Sequence, residues 1–154
     1  GSGRDLRYFG RKGFNVIGLD YAVKLSKLAK GFSEQPVTVA DLNFPPFRRH
    51  SFDAVWAIGS LLHIHRQSIS HVLARIHRIL RVEGVLLTSI KKGQGENIDV
   101  HGRYTVFYQP QDWGDFFSSN GFDVIQIEET KEIRQIKPNQ QQEIWWITCL
   151  AKAV

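Results

Sequence analysis

The chain has 154 residues and a single cysteine, Cys149. That is enough chain for one domain with its own core, and one thiol excludes an internal disulfide. No apolar run is long enough to span a bilayer and no secretory leader is read, so the expectation is a cytoplasmic globular protein. The net charge of +5 would allow RNA, DNA or an anionic substrate, but the lysines and arginines are scattered, which reads as a solvated basic surface.

The chain opens on Gly1-Ser2-Gly3-Arg4-Asp5. Glycines lack Cβ and let backbone approach a ligand, and a Gly-x-Gly turn entering a helix is how α/β proteins hold a nucleotide. Such a turn follows a strand, and here the chain begins at the turn. The expectation is therefore one domain over 1–154, incomplete at its N-terminus. Residues 5–12 read as a short helix ended by Gly13. Residues 14–20 read as a strand, apolar nearly throughout and ending in Asp20. A helix over 22–30 carries Val23, Leu25, Leu28 and Ala29 on one stripe and stops at Gly31. Residues 37–41 form a second short strand, ending in Asp41, and a proline-rich loop follows.

Residues 52–58 are a third apolar strand, broken by Gly59-Ser60. From 68 to 80, Ile69, Val72, Leu73, Ile76 and Ile79 recur at helical spacing and give the clearest helix in the chain. Residues 85–90 are a fourth strand. Strand and helix thus alternate, which predicts βαβ units and a parallel sheet. Residues 91–102 read as a long glycine-bearing loop and 104–108 as extended. Pro110 opens a helix whose buried side is Trp113, Phe116 and Phe117. Residues 122–133 and 143–151 are two strands with no room for a helix between them, hence an antiparallel hairpin. Trp145 and Trp146 should face opposite sides, one of them into the core.

This α/β plan, a mostly parallel Rossmann-like sheet with helices on both faces and a C-terminal antiparallel hairpin, resembles the class I S-adenosylmethionine-dependent methyltransferases. The segment GSGRD looks like the tail of that family's first glycine motif, GLDYA like its ribose-binding segment, and ADLNFPPF like its adenine-binding segment. SFDAVWAIGSLLHIHR looks like the fourth strand and its loop, and ILRVEGVLLTSIKKGQGE like the helix-to-strand step that follows. That step usually carries Pro-Gly-Gly, and Val82-Glu83-Gly84 keeps only the last glycine. Within the superfamily, SLLHI, KKGQGE and GRYTVFY look like a bacterial group of small methyltransferase-domain proteins whose substrates are unassigned. The fold's usual first strand is absent from the sequence.

The resemblance implies S-adenosyl-L-methionine as cofactor. It would be held by Gly1 and Gly3 at its methionine part, Asp20 and Tyr21 at the ribose, Asp41 and Leu42 at the adenine, and Ile58 and Ser60 after the third strand. Each of these has a plainer reading. The glycines can be an ordinary tight turn, Asp20 a helix N-cap, and Asp41 a turn residue. Methyl transfer from a sulfonium is an in-line displacement with an activated leaving group, so the protein chiefly aligns and desolvates, and a dedicated base is optional. His63 is the tentative catalytic residue, as a proton acceptor, against a histidine that packs or caps. Lys92, Glu96, Arg103, Tyr104 and Tyr108 would bind a polar or anionic acceptor, against a flexible surface loop. His63 and His65 lack a completing ligand set, so no metal is expected. The acceptor is expected to be a small molecule, with RNA or protein as further possibilities, no membrane partner and no prediction of oligomeric state. Two other functions stay open: a truncated or degenerate non-catalytic binding module of the same fold, and a nicotinamide-dependent oxidoreductase.

Overall fold

Residues 1–99 and 102–154 are described by a computed structural model of the chain, in which Gly1–Pro46 and Phe47–Val154 form separate units. The first unit runs α1 (Arg4–Arg11), β1 (Gly18–Asp20), α2 (Val23–Ser33) and β2 (Val37–Val39). β1 and β2 are parallel, with Gly18 opposite Val37 and Asp20 opposite Val39, so β1-α2-β2 is a βαβ crossover. The strand expected over 14–20 keeps only its last three residues. β2 offers just three partners, and Phe14 and Ile17 are exposed.

α2 departs further from expectation. It runs through Gly31 to Ser33, and the left-handed residue that ends it is Glu34, with φ 60°. The Ser33 hydroxyl donates to the Ala29 carbonyl at 2.6 Å, and the Gln35 N–H donates to the same hydroxyl. The side chain thus carries the chain out of the helix without a terminating glycine. Its buried side is Ser26, Ala29 and Ser33, while Val23, Leu25 and Leu28 of the predicted stripe are exposed. Small residues face inward because α1 packs close. Gly3, at the start of α1, has φ 89°, and a Cβ there would stand 2.8 Å from the Ala29 carbonyl oxygen. Gly3 is therefore required by helix packing, whatever else it does.

The second unit contains β3 (Phe52–Ile58), two 3-10 turns (Leu61–His63 and Arg66–Ser68), α3 (Ile69–Ile79), β4 (Leu80–Lys91), β5 (Glu96–Ile98), β6 (Tyr104–Val106), α4 (Pro110–Ser118), β7 (Phe122–Lys137) and β8 (Gln140–Ala153). Its main sheet has the order β3-β4-β8-β7. β3 and β4, joined through α3, are parallel, whereas β8 is antiparallel to both β4 and β7. The helix-linked strands are thus parallel and the closing hairpin antiparallel, as the sequence pattern predicts. α3 buries Ile69, Val72, Leu73, Ile76 and Ile79, each contributing about 1.5–3 kcal/mol. α4 begins with Pro110 in its first turn, and Trp113 and Phe117 are fully buried.

Three expectations in this unit change. β4 starts directly at Leu80, so the Val82-Glu83-Gly84 step lies inside a strand as an irregularity in its pairing with β3. Glu83 takes φ 66°, and a Cβ on Gly84 would lie 2.8 Å from the Arg81 carbonyl oxygen, which accounts for the retained glycine. The predicted 91–102 loop contains β5, paired antiparallel with β6; Val100 and His101 lie outside the described residues. Neither Trp145 nor Trp146 reaches the core, where Ile144 and Ile147 sit instead. β4 ends opposite Trp146, and the Lys92 N–H still donates to the Trp145 carbonyl at 2.8 Å. The indole N–H of Trp146 donates to Glu132 at 2.8 Å, and Trp145 lies between Lys92 and Lys131, each 5.8 Å from its ring centre.

Candidate functional site

In the first unit the parallel strands β1 and β2 carry Asp20 and Asp41 at or just past their carboxyl ends, where an open α/β sheet presents ligand-binding residues. The Asp20 carboxylate is divided between two tasks. Oδ1 accepts the Ala22 N–H at 2.8 Å, which fixes the turn into α2. Oδ2 is paired with the amino group of Gly1. The opening glycine and the acid seventeen positions beyond Gly3 are thus brought together. A Cβ at Gly1 would meet nothing within 4 Å, so the backbone there faces open space. Tyr21, next to Asp20, is exposed.

Asp41 is different. Its Oδ1 accepts both the backbone and side-chain N–H of Asn43, each at 2.8 Å, and Phe44 N–H bonds the Asp41 carbonyl at 2.9 Å. This is the turn-forming use of aspartate. Leu42 lies in that turn, partly buried.

In the second unit the loops after β3 and β4 leave from the same edge of the sheet, because the two strands are parallel. Ile58 ends β3, Gly59 bonds across to the Ser89 carbonyl at 3.0 Å, and the exposed Ser60 hydroxyl lies 3.3 Å from the Ile58 carbonyl. His63 neither packs nor caps its short turn: Nδ1 lies 2.6 Å from the Tyr104 carbonyl oxygen on β6. A carbonyl only accepts, so Nδ1 carries the proton and Nε2 of the neutral ring holds a lone pair. The His63 side chain is exposed.

Around β6 the structure assembles residues that the sequence offered only one by one. The His65 ring lies on Tyr104, 4.2 Å between centres. The Arg66 guanidinium sits 4.4 Å from the Tyr108 ring centre and donates to the Phe107 carbonyl at 2.6 Å. Tyr108 is fully buried, and its hydroxyl has no hydrogen-bond partner among the described residues, whereas the Tyr104 hydroxyl faces the Glu96 carboxylate. Burial pushes Tyr108 up to about 12, and burial followed by a hydrogen bond to the Glu96 carboxylate raises Tyr104. Glu96 was read in the sequence with the two tyrosines as acceptor-side, but Arg66 was not singled out; nothing in its spacing ties it to two tyrosines about forty residues away.

The two predicted acceptor-binding cations are committed elsewhere. Lys92 pairs with Glu129, and Arg103 with Asp99 at 2.7 Å. Cys149 is buried, and burial pushes its thiol up to about 12, which leaves it inert as a nucleophile. Among the described residues no three His, Cys, Asp or Glu side chains gather as a metal site, and no helix is long and apolar enough to cross a membrane.

Comparison with known proteins places this arrangement. A family model described as a methyltransferase domain matches residues 1–88. An uncharacterized protein of Methanocaldococcus jannaschii, MJ1252, is 32% identical over 77 residues, which is 49% of this chain and 30% of that protein. The chain therefore spans less than a third of that relative's length. Among solved structures, a putative methyltransferase of Bacillus halodurans superposes with a TM-score of 0.84 at 14% identity, over 99% of this chain and 88% of that one. An S-adenosylmethionine-dependent methyltransferase of Methanosarcina mazei gives 0.81 at 14% identity, over 100% and 89%. The Burkholderia thailandensis 1,6-didemethyltoxoflavin-N1-methyltransferase, with bound 1,6-didemethyltoxoflavin and S-adenosylhomocysteine, gives 0.76 at 19% identity, over 100% and 68%. At these identities the superpositions establish the fold, and the family match supplies the rest: the chain belongs to the methyltransferase-domain family, within the class I S-adenosylmethionine-dependent superfamily.

Proposed function

We propose that the chain transfers a methyl group from S-adenosyl-L-methionine to a small-molecule acceptor. The observation that carries this reading is the methyltransferase-domain match over residues 1–88, which spans Gly1, Gly3, Asp20 and Asp41, with Asp20 standing at the carboxyl end of β1. One Asp20 oxygen is fixed by the turn into α2. The other, paired in this structure with the Gly1 amino group, is the oxygen that a ribose hydroxyl would engage in place of that amine. The residues present therefore fit the cofactor.

In this reading Gly1 leaves space for its methionine part, and Gly3 does so secondarily to its packing role. Asp20 orders the ribose beside the exposed Tyr21, and Asp41 shapes the turn that presents Leu42 to the adenine. Ile58 and Ser60 keep the cofactor role their motif implies. When bound, the sulfonium supplies an activated methyl, so the chain's own part is to position the acceptor and exclude water. His63, its Nδ1 tied to Tyr104, offers Nε2 as the proton acceptor for an oxygen or nitrogen nucleophile. Tyr104 and Tyr108 lie on the acceptor side, with Lys92 and Arg103 outside direct contact because each is paired with a carboxylate.

Isothermal calorimetry with S-adenosylhomocysteine and with NAD tests the reading. The expected result is saturable binding of S-adenosylhomocysteine and none of NAD. Binding of NAD alone would move the chain to the nicotinamide alternative, and binding of neither would favour the non-catalytic module.

A further inference from the structure

His63, His65 and Arg66 all reach residues 104–108, although 41 positions separate His63 from Tyr104 and Arg66 from Phe107. The His63 Nδ1 lies 2.6 Å from the Tyr104 carbonyl oxygen, and the His65 ring lies on the Tyr104 ring. The Arg66 guanidinium donates to the Phe107 carbonyl at 2.6 Å and covers the Tyr108 ring. The two ends of 104–108 are held unequally. Val106 and Tyr108 are fully buried, and Tyr108 is bonded through its backbone to Lys91 and Gly93. Tyr104 pairs with Ile98 of β5, a strand exposed throughout. The loop that carries His63 is itself two 3-10 turns, whose hydrogen bonds have poorer geometry than those of an α-helix. Leu61, Leu62 and Ile69 bury its two ends, while His63, His65 and Gln67 between them are exposed. Arg66 is thus the side chain that fastens the middle of this loop to the buried end of the 104–108 segment.

We propose that Arg66 is a positioning residue for His63. Its bond to the Phe107 carbonyl keeps the loop and β6 in register, so that His63 Nδ1 stays on the Tyr104 carbonyl and Nε2 keeps a lone pair. The register matters because either nitrogen of a neutral imidazole can carry the proton, and a hydrogen bond at one nitrogen decides which. In water an unconstrained histidine favours the proton on Nε2. The Tyr104 carbonyl reverses that preference, since it can only accept. A shift of β6 against the loop would return the proton to Nε2 and turn the acceptor into a donor, with the ring still in place. Arginine suits the task. Its guanidinium is always charged, donates from a rigid fork and lies flat on an aromatic ring, and a charge-assisted bond is roughly twice as strong as a neutral one. The inference deepens the methyltransferase reading, and rests on it only in making His63 the proton acceptor.

The test reads the tautomer of His63 from two-bond 1H–15N spectra of histidine-labelled protein at about pH 8.5, where an ordinary histidine is neutral, with His63→Gln assigning its signals. In the wild-type chain Nε2 should be mostly unprotonated. Arg66→Met keeps the aliphatic stem and removes the donor, so Nε2 should become mostly protonated. Arg66→Lys restores the charge and a donor, and should restore the wild-type pattern. Circular dichroism melts accompany both variants, and Arg66→Ala replaces Arg66→Met if that variant is unfolded. A protonated Nε2 in the wild-type chain would overturn the proposal, as would a tautomer left unchanged by Arg66→Met or lost in Arg66→Lys as well. A role of Arg66 in packing alone lowers the melting temperature without moving the tautomer. S-adenosylhomocysteine, titrated by calorimetry into the wild-type chain, separates the two claims. A tautomer shift in a chain that does not bind it keeps Arg66 as a positioning residue and removes methyl transfer. Binding together with an unmoved tautomer does the reverse.

Discussion

Trp113→Ala should cost about 3–5 kcal/mol, the range for deleting a fully buried large aromatic. Against a typical total of about 5–15 kcal/mol, that leaves a substantial unfolded population. Trp113 is inaccessible to solvent and stands between Tyr108, at 4.8 Å, and Phe117, at 5.4 Å between ring centres. Its indole N–H donates to the Thr88 hydroxyl of β4 at 3.1 Å, so it both fills the space under α4 and pins that helix to the sheet. Trp113→Phe separates the two roles. It keeps most of the ring but leaves a smaller void and an unsatisfied Thr88, for a loss of about 1–3 kcal/mol. Urea unfolding followed by far-UV circular dichroism reads both, and equal losses for the two variants would contradict the assignment.

Asp20→Ala should weaken S-adenosylhomocysteine at least about tenfold, the loss of one charge-assisted hydrogen bond. The alanine variant also strips the Ala22 N–H of its partner, so its effect mixes folding with binding. Asp20→Asn is the sharper probe. An amide oxygen can still accept from Ala22, while the group replacing Oδ2 becomes a donor that cannot accept from a ribose hydroxyl. The asparagine variant should therefore keep the melting temperature within a few degrees and still lose about tenfold in affinity, measured by calorimetry. An unchanged affinity would remove Asp20 from the site.

How much of this could be read from the sequence depends on the element. α3 was legible almost to the residue because it buries a face at helical spacing, and β3 because its apolar run is bounded on both sides, though only Ala57 of it is buried. β7 and β8 were legible as a hairpin, though both run further toward the turn than their apolar stretches, since backbone pairing continues past the core. The misreadings have local causes. α2 outlasts Gly31 because Ser33 closes its end through a side-chain bond. Its apolar residues lie outward because the tight approach of Gly3 to Ala29 leaves room only for small ones. β5 carries no alternation, so a three-residue polar ladder had no signature. Trp145 and Trp146 follow strand alternation, but lie at and beyond the last residue of β4, which only pairing register reveals.

The candidate site was half legible. Gly1 and Asp20 were read together from their spacing, and in the first unit the Gly1 amino group pairs with the Asp20 carboxylate; their cofactor roles are the proposal made above. The acceptor side was read from residue types alone, and its outcome turned on pairing. Lys92 and Arg103 met carboxylates that their sequence neighbourhood did not announce as partners, while Tyr108 proved buried rather than surface-lining. Arg66 gains meaning only once folding sets it over the Tyr108 ring.

The central claim is that an adenosyl cofactor is held where β1 ends, between its terminal carboxylate and the opening glycines. Titrating S-adenosylhomocysteine into uniformly 15N-labelled protein and following backbone amides tests this most directly. The amides of Gly3, Asp20 and Tyr21 should shift along one saturable isotherm and stay unmoved with NAD. Saturable binding of S-adenosylhomocysteine that leaves those three resonances in place would contradict the account.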